Sequence, residues 1–112
     1  MKWHTLHLLS SSSDEVVMEA EAMADSPWFS GHFPDDPVLP GIAQIAMVFE
    51  AVKHLAGEDR KITGVKKVRF KQIVRPNDRL TITVSSGKKN TCSFRILLKG
   101  EPACTGILSM KE

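Results

Sequence analysis

The sequence predicts an α+β protein in which an antiparallel β-sheet wraps around one long central α-helix, and three observations lead to this prediction. Segment 42–52 contains only two polar residues, Gln44 and Glu50, and a helix that is apolar on nearly every face is expected to be buried on most sides. Several segments on either side of it alternate apolar and polar residues, as half-buried strands do. The connections between the late segments are too short for parallel crossovers, which favours antiparallel pairing.

The first half of the chain predicts two strands, a loop and the helix. In chain order these elements lie at about residues 2–9, 15–24, 25–39 and 40–56. A serine run at 10–13 separates the two strands, and the second strand has one mostly polar face. Pro40 suits the first helical position and Gly57 suits the residue after a helix end, so these two residues mark the predicted helix boundaries.

The second half predicts the strands that complete the sheet. They lie at about residues 62–74, 80–86, 92–98 and 103–110, and 72–74 is a candidate for an additional short strand. In the first of these segments, Val68 and Phe70 are expected on one face. The charged residues that alternate with them, and are expected on the other face, are Lys67, Arg69 and Lys71.

Length and composition predict one soluble globular domain, residues 1–112. Apolar residues make up 42% of the chain and charged residues 25%, which is ordinary for a soluble protein. No apolar run approaches the roughly 20 residues that a membrane-spanning helix needs. The N-terminal stretch lacks the apolar core and the cleavage site of a signal peptide, so a cytoplasmic protein is expected.

The two cysteines, Cys92 and Cys104, are expected to be reduced and structural. They fall in consecutive strands, and in a hairpin centred on residues 99–102 Cys104 would face about residue 97 rather than Cys92. No cysteines and histidines have the spacing of a zinc site, and neither a metal nor another cofactor is expected. His4 carries no motif and is expected to be a surface or packing residue.

The net charge of +2 is unevenly distributed along the chain. Residues 1–40 carry one Lys and seven Asp or Glu, a charge of −6, whereas residues 60–99 carry twelve Lys or Arg and one Asp, a charge of +11. This basic band is a candidate docking site for an acidic partner, although alternating charges also keep one sheet face solvated. It has no interleaved aromatic residues and no nucleic-acid-binding motif, so nucleic acid is not expected as a partner.

Two motifs together point to a known family. The segment GHFPDDPVLPGIAQ, residues 31–44, holds His32 in a loop that its prolines and glycines constrain. It resembles the active-site segment of the hot-dog-fold 3-hydroxyacyl-[acyl-carrier-protein] dehydratases. The segment GVKKVRFKQIVRPNDRL, residues 64–80, resembles a strand and turn of the same family. The resemblance covers about residues 15–110, and Gln44 makes it nearest to the dehydratase relatives found in aryl-polyene clusters.

The resemblance implies a hot-dog fold, a homodimer, and an active site built from His32 of one chain and the helix of the other. His32 would act as the base, and the backbone N–H of Gly41 would polarise the thioester carbonyl, as suits a helix N-terminus. The side chains expected to line or border the acyl tunnel are Phe33, Ile42, Ile45 and Phe49. An acidic acyl carrier protein, or the phosphates of coenzyme A, would dock on Lys67, Arg69 and Lys71.

The chain departs from the family at the catalytic acid. The family's Glu or Asp stands five residues after the glycine, and here this position is Ala46. Glu50 lies one helical turn further on, a rise of about 5.4 Å, and on nearly the same face, so it is the candidate replacement acid. Alternatively, Glu50 faces a sheet edge or interface near Lys53 or His54. Three functions stay open: a dehydratase of altered or reduced activity, a non-catalytic acyl-thioester-binding subunit that pairs with an active paralogue, and a hot-dog thioesterase that uses Glu50.

Overall fold

The computed structural model describes residues 3–29, 38–57 and 60–111. Within these ranges six strands form one antiparallel sheet in the order β1-β2-β4-β5-β6-β3, and one α-helix packs on it. The elements are β1 (His4–Ser11), β2 (Glu15–Ala22), a 3₁₀ turn (Pro27–Phe29), α1 (Gly41–Ala56), β3 (Lys61–Phe70), β4 (Arg79–Ser86), β5 (Thr91–Leu98) and β6 (Glu101–Lys111). The predicted α+β architecture, an antiparallel sheet around one helix, is confirmed.

The core lies between α1 and the inner face of the sheet. On β2 and β5 every second residue is buried, which is the alternation expected of strands with one solvated face, and on β4 Thr83 is buried in addition to the alternating Leu80, Ile82 and Val84. The helix residues that are completely buried are Ala43, Met47, Val48 and Ala51. The ring of Phe94 on β5 packs against Gly106 on β6, where an added Cβ would lie only 2.6 Å from the ring atom Cζ. The interior therefore has no spare volume at this point.

The helix begins one residue later than predicted. Pro40 has φ −61° and ψ 152°, an extended conformation, and its carbonyl accepts a hydrogen bond of 3.2 Å from the N–H of Gln44. Pro40 is therefore the N-cap rather than the first helical residue, and α1 starts at Gly41. The predicted stop at Gly57 is confirmed, because this residue has φ 86° and its N–H donates to the carbonyl of Lys53 at 3.1 Å.

Strand β3 contains a β-bulge that decides which of its side chains face the helix. Its register with β6 shifts between Lys66 and Arg69, and Lys67 has a positive φ of 56°. A bulge inserts one extra residue into one strand of a pair. Val65 and Val68 are three residues apart and would face opposite sides of a regular strand. Because of the bulge, both side chains lie on the helix side of the sheet.

The additional strand considered at 72–74 is not formed, and β3 ends before it. The polar groups of this segment are engaged elsewhere. The side-chain amide of Gln72 donates to the carbonyl of Glu101 at 3.0 Å, and the carbonyl of Val74 accepts a hydrogen bond of 2.7 Å from the N–H of Leu39. These contacts tie the segment after β3 to the β5–β6 turn and to the residues that lead into the helix.

Both cysteines are free and buried. Cys104 faces Ile96 rather than residue 97, because the register of β5 and β6 shifts between Ile96 and Leu97. Burial raises the pKa of Cys104 from its ordinary value of 9.0 to about 11. Burial also raises the pKa of Cys92, and the positive charge of Arg60 partly offsets this effect.

Two further properties concern only the part of the chain that the structure describes. No three His, Cys, Asp or Glu side chains in it come together as a metal site would require. None of its helices combines the length and the hydropathy of a membrane-spanning helix.

Candidate functional site

An open apolar groove of about 490 Å³ lies between α1 and β3. Its lining residues are Gly41, Ile42, Ile45, Ala46, Phe49, Val65, Val68 and Phe70. The groove contains both Val68 and Phe70, so the prediction that these two side chains share a face is confirmed. Ile42 is 70% exposed and Phe70 is 52% exposed. The expectation that the helix is buried on most sides is confirmed for segment 42–52, where six of eleven residues are buried and only Ile42 is exposed, and its remaining side borders this groove.

Gly41 lies at the start of the helix and at one end of the groove. The first N–H groups of a helix have no acceptor within the helix, and the helix dipole favours negative charge there. The ring of Phe70 covers this glycine, since an added Cβ would lie 2.5 Å from the ring atom Cζ. Only a glycine fits beneath the ring in this conformation. The interaction of its N–H with a thioester oxygen stays a prediction.

The structure brings together the three described residues that were predicted to line an acyl tunnel. Ile42, Ile45 and Phe49 all line the groove together with Gly41. The predicted base His32 and the predicted tunnel residue Phe33 lie outside the described residues. The roles assigned to all of these side chains stay predictions.

The chain enters the helix in a fixed position. Leu39 is almost completely buried, and its N–H donates to the carbonyl of Val74 at 2.7 Å. The side-chain amide of Gln44, which is 3% exposed, donates to the carbonyl of Leu39 at 3.4 Å. The residue that precedes Pro40 is thus held both by the segment after β3 and by the first turn of α1. These bonds fix where the chain that precedes the helix reaches the groove.

Ala46 lies within the groove, at the position that the family resemblance assigns to the catalytic acid. Its methyl group can neither donate nor accept a proton. All of the described residues that line the groove are glycine, alanine or larger apolar residues. By itself, this surface can bind an acyl chain or another apolar surface, but it provides no side chain for acid or base catalysis.

Glu50 does not line the groove but contacts the edge strand β1. Its carboxylate oxygen Oε2 lies 2.6 Å from Nε2 of His4. The His4 side chain is 9% exposed and packs on Trp3, with ring centroids 4.0 Å apart, whereas the Glu50 side chain is 46% exposed. The alternative in which Glu50 faces a sheet edge therefore matches its position, with His4 as its neighbour in place of Lys53 or His54. A catalytic role for Glu50 stays a prediction.

The surroundings of His4 indicate the tautomer of its imidazole. Nδ1 is buried and has no hydrogen-bond partner among the described residues. A proton on Nδ1 would be a buried donor without an acceptor, which is costly. A proton on Nε2, by contrast, can be donated to the Glu50 carboxylate 2.6 Å away. The sequence reasoning missed this residue, although His4 alternates with Leu6 and Leu8 and so falls on the inner face of β1.

The three basic residues predicted to dock a carrier are all exposed. Lys67 lines a shallow depression of about 300 Å³ on the outer face of the sheet, beside Arg95. Arg69 pairs with Thr105 across the β3–β6 ladder. Lys71 follows β3, and its backbone N–H donates to a carbonyl of β6 at 2.8 Å. The structure thus places these cations at one edge of the sheet, and their role as a docking site stays a prediction.

Comparisons with known proteins agree with this architecture. Residues 9–107 match the family model described as ApeI-like, ApeI dehydratase. The chain is 32% identical over 108 residues to the 3-hydroxyacyl-[acyl-carrier-protein] dehydratase FabZ of Oenococcus oeni, covering 87% of this chain and 78% of the relative. It is similar to a solved chain of the dehydratase heterocomplex ApeI:P from Xenorhabdus doucetiae, with a TM-score of 0.87 and 26% identity over all of both chains.

A more distant structure supports the fold alone. The (R)-hydratase from A. caviae involved in PHA biosynthesis matches with a TM-score of 0.73 and 18% identity, covering 92% of this chain and 98% of that one. Together with the heterocomplex, this match confirms the predicted hot-dog fold. The resemblance to the hydroxyacyl-thioester dehydratases that the sequence motifs indicated is confirmed as well.

Proposed function

The chain belongs to the ApeI-like dehydratase family, and we propose that it forms one subunit of a 3-hydroxyacyl-thioester dehydratase whose catalytic acid comes from a different hot-dog chain. One observation carries the proposal: Ala46, to which the family resemblance assigns the position of the acid, lies within a groove whose described lining is wholly apolar. The carboxylate one turn away, on Glu50, lies 2.6 Å from His4 on the edge strand. This contact directs the Glu50 side chain to β1, and Glu50 is not among the residues that line the groove.

The elimination of water from a 3-hydroxyacyl thioester needs a base, an acid and a group that stabilises the developing charge. In the proposed reaction His32 removes a proton from Cα, and the electron pair left behind forms the double bond to Cβ. The Cβ–O bond breaks while the partner's carboxylic acid transfers its proton to the departing hydroxyl, so that water and an enoyl thioester are formed. The N–H of Gly41 would donate to the thioester oxygen as negative charge builds up there.

The nature of the partner follows from symmetry. Two identical chains paired around a two-fold axis would place Ala46 in both interfacial sites, and neither site would contain the acid. A non-identical hot-dog chain with a carboxylate at the corresponding position would complete one of them. The exposed Ile42 and Phe70 offer such a chain an apolar surface, and β3 is an edge strand with unpaired backbone groups. The similar chain from Xenorhabdus doucetiae is itself part of a dehydratase heterocomplex.

The proposed substrate is carried by an acyl carrier protein. The related enzyme from Oenococcus oeni is named for this type of substrate. Acyl carrier proteins are acidic, and the exposed residues Lys67, Arg69 and Lys71 provide a basic surface beside the groove-lining strand β3. Charges of opposite sign would speed the encounter and orient the carrier. Coenzyme A thioesters, whose phosphates are also anionic, are the comparison substrates.

The test uses the purified chain with 3-hydroxyacyl carrier-protein thioesters and follows the enoyl product by mass spectrometry. Wild type alone is expected to be slow. Ala46→Glu is expected to raise turnover by about 10²-fold or more, because a positioned general acid contributes roughly 10²–10⁴-fold. Ala46→Gln is the matched control. Glutamine has nearly the same size and polarity as glutamate, but it has no carboxylic proton, so this variant should stay slow.

Each outcome of this assay favours one function. Equal and fast turnover by wild type and Ala46→Glu would contradict the proposal, because the acid would then already be present in this chain. Retained acyl binding with no dehydration by any variant, or by a mixture with an active paralogue, would favour a non-catalytic binding subunit. Release of free carrier thiol that Glu50→Gln abolishes would favour a thioesterase. Circular dichroism of each variant shows whether it has kept its fold.

A further inference from the structure

A second cavity lies at the other end of the helix and shares none of its lining residues with the groove. It has a volume of about 280 Å³. Its apolar lining residues are Leu55, Ala56, Cys92 and Met110. Its polar lining comes from the β1–β2 turn, the β4–β5 turn and the residue before β3, namely Ser13, Ser86, Gly87, Asn90, Thr91 and Arg60. It is therefore a small polar cavity with an apolar floor and one cationic side chain.

The guanidinium of Arg60 has hydrogen-bonding capacity left over. Its Nη2 donates to Oδ1 of Asn90 at 2.8 Å, whereas its Nε is buried and has no partner among the described residues. The contact with Asn90 is the one hydrogen bond that the guanidinium makes among the described residues, so the remaining N–H groups on Nη1 and Nη2 are available to a further acceptor. The N–H groups of an arginine form a planar fork that matches two oxygens of a phosphate or a carboxylate.

The residue that orients the guanidinium is itself held firmly. Asn90 has φ 61° and follows Lys89, which has φ 46°, at the tip of the β4–β5 turn. Asparagine tolerates this left-handed conformation better than most residues. The backbone carbonyl of Asn90 accepts a hydrogen bond of 2.8 Å from the N–H of Met110. The side-chain amide therefore presents its oxygen to Arg60 from a fixed point.

Two of the three hydroxyl groups that line the cavity already donate to backbone carbonyls. Oγ1 of Thr91 donates to the carbonyl of Lys88 at 2.6 Å, and Oγ of Ser86 donates to the carbonyl of Asp14 at 3.1 Å. Their protons are therefore already used. Arg60 remains the principal donor in the cavity.

Four lysines lie near Arg60 in the fold or in the chain. Arg60 also lines an adjoining cavity of about 470 Å³, together with Lys53 and Lys61. The β4–β5 turn adds Lys88 and Lys89. The acidic residues that neighbour Ser13 and Arg60 in the sequence, Asp14, Glu15, Glu58 and Asp59, carry the opposite charge. Anion binding in this cavity therefore depends on Arg60 itself rather than on a surplus of positive charge around it.

We propose that this cavity binds a phosphate group, with Arg60 as its principal ligand and Asn90 as the residue that orients Arg60. The phosphate could be that of a free anion or nucleotide, or that of a phosphopantetheine arm. The site does not depend on the dehydratase reaction, because its residues are separate from the groove.

Phosphate binding is measured on the full chain by calorimetric titration and by thermal unfolding, with sodium chloride at the same ionic strength as the reference. Arg60→Gln is expected to weaken binding by about tenfold or more, since a hydrogen bond to a charged group is worth roughly 1.5–3 kcal/mol. Arg95→Gln is the matched control: it removes the same charge from an exposed position on β5 and should leave binding unchanged.

Asn90→Asp provides a second test that keeps the fold, because aspartate has the same shape and also tolerates the positive φ. Its carboxylate would pair with Arg60 and exclude the anion, so phosphate should no longer stabilise the protein. Tighter binding of pantetheine 4′-phosphate than of inorganic phosphate or AMP would identify a carrier arm as the source, and similar affinities would identify a free anion. The proposal is overturned if phosphate stabilises no more than chloride does. It is overturned equally if Arg95→Gln weakens binding as much as Arg60→Gln, or if Asn90→Asp binds phosphate like wild type.

Discussion

Replacing Glu50 by alanine should destabilise the protein, whereas replacing it by glutamine should not. In wild type the carboxylate lies 2.6 Å from Nε2 of His4, whose side chain is 9% exposed. A hydrogen bond to a charged group contributes roughly 1.5–3 kcal/mol. Glu50 is 46% exposed, so water competes for its carboxylate and the lower end of that range applies. We expect Glu50→Ala to lower the free energy of unfolding by about 1.5 kcal/mol, because the buried Nε2–H loses its acceptor.

The glutamine variant separates the hydrogen bond from the charge. Its side-chain oxygen can accept the same proton from His4, so the loss should stay below about 0.5 kcal/mol. Urea unfolding and thermal unfolding measure both variants, and for a domain of this size 1 kcal/mol corresponds to roughly 4 °C in Tm. In the proposed arrangement the partner chain supplies the acid, so Glu50→Gln should also leave the rate of dehydration unchanged.

Two results would refute this reasoning. If Glu50→Gln destabilises as much as Glu50→Ala, the contact with His4 depends on the negative charge of Glu50 and not on a hydrogen bond that a glutamine oxygen can also accept. If Glu50→Gln keeps its stability but loses about 10²-fold or more in turnover, Glu50 is itself the acid. His4→Gln is the corresponding variant on the other side of this contact, because the glutamine amide can still donate a hydrogen bond to Glu50.

Three further predictions concern Gly106 in the core, the thiol of Cys104 and the proposed base His32. Gly106→Ala should cost about 1–3 kcal/mol in urea unfolding, because the new methyl group would lie 2.6 Å from the buried ring of Phe94; a loss near zero would mean that the ring has room to move. Burial raises the pKa of Cys104 from 9.0 to about 11. The folded state therefore favours the neutral thiol, and the stability that this thiol contributes is complete below pH 9 and is lost as the pH rises through 11. Its thiol should resist thiol reagents at about pH 8 until urea unfolds the chain, and rapid reaction of the folded protein would contradict this. His32→Gln should abolish dehydration by the proposed heterodimer, whereas the same change in the partner's corresponding histidine should not, because in that arrangement the partner's histidine would face Ala46.

Strands such as β2 and β5 could be predicted from the sequence because buried residues alternate strictly along them. Val16, Met18 and Ala20 are all buried, and the residues between them are not. The bulge in β3 could not be predicted in this way, since Lys67 takes a positive φ in a segment without glycine or asparagine at that point. Its effect is large, because it adds Val65 to the face that carries Phe70.

The site could be predicted only as far as it is local in sequence. Gly41 and Ala46 follow from one motif and one helix, and the structure places both in the same groove. The contact between His4 and Glu50 joins an edge strand to the middle of the helix, across a long sequence separation. No spacing rule relates such residues, because tertiary packing alone brings them together.

The exposed stripe of α1 shows what hydrophobic periodicity measures. A segment with apolar residues all round predicts burial, but it does not say whether the covering surface belongs to the same chain. Here the sheet of the same chain covers Met47 and Val48, while Ile42 stays 70% exposed. Fully burying an Ile or Phe side chain is worth roughly 1.5–3 kcal/mol, so leaving Ile42 and Phe70 in water forgoes several kcal/mol. The apolar pattern therefore fits the proposed assembly, in which the surface that lacks the acid is the one that a partner carrying the acid would cover.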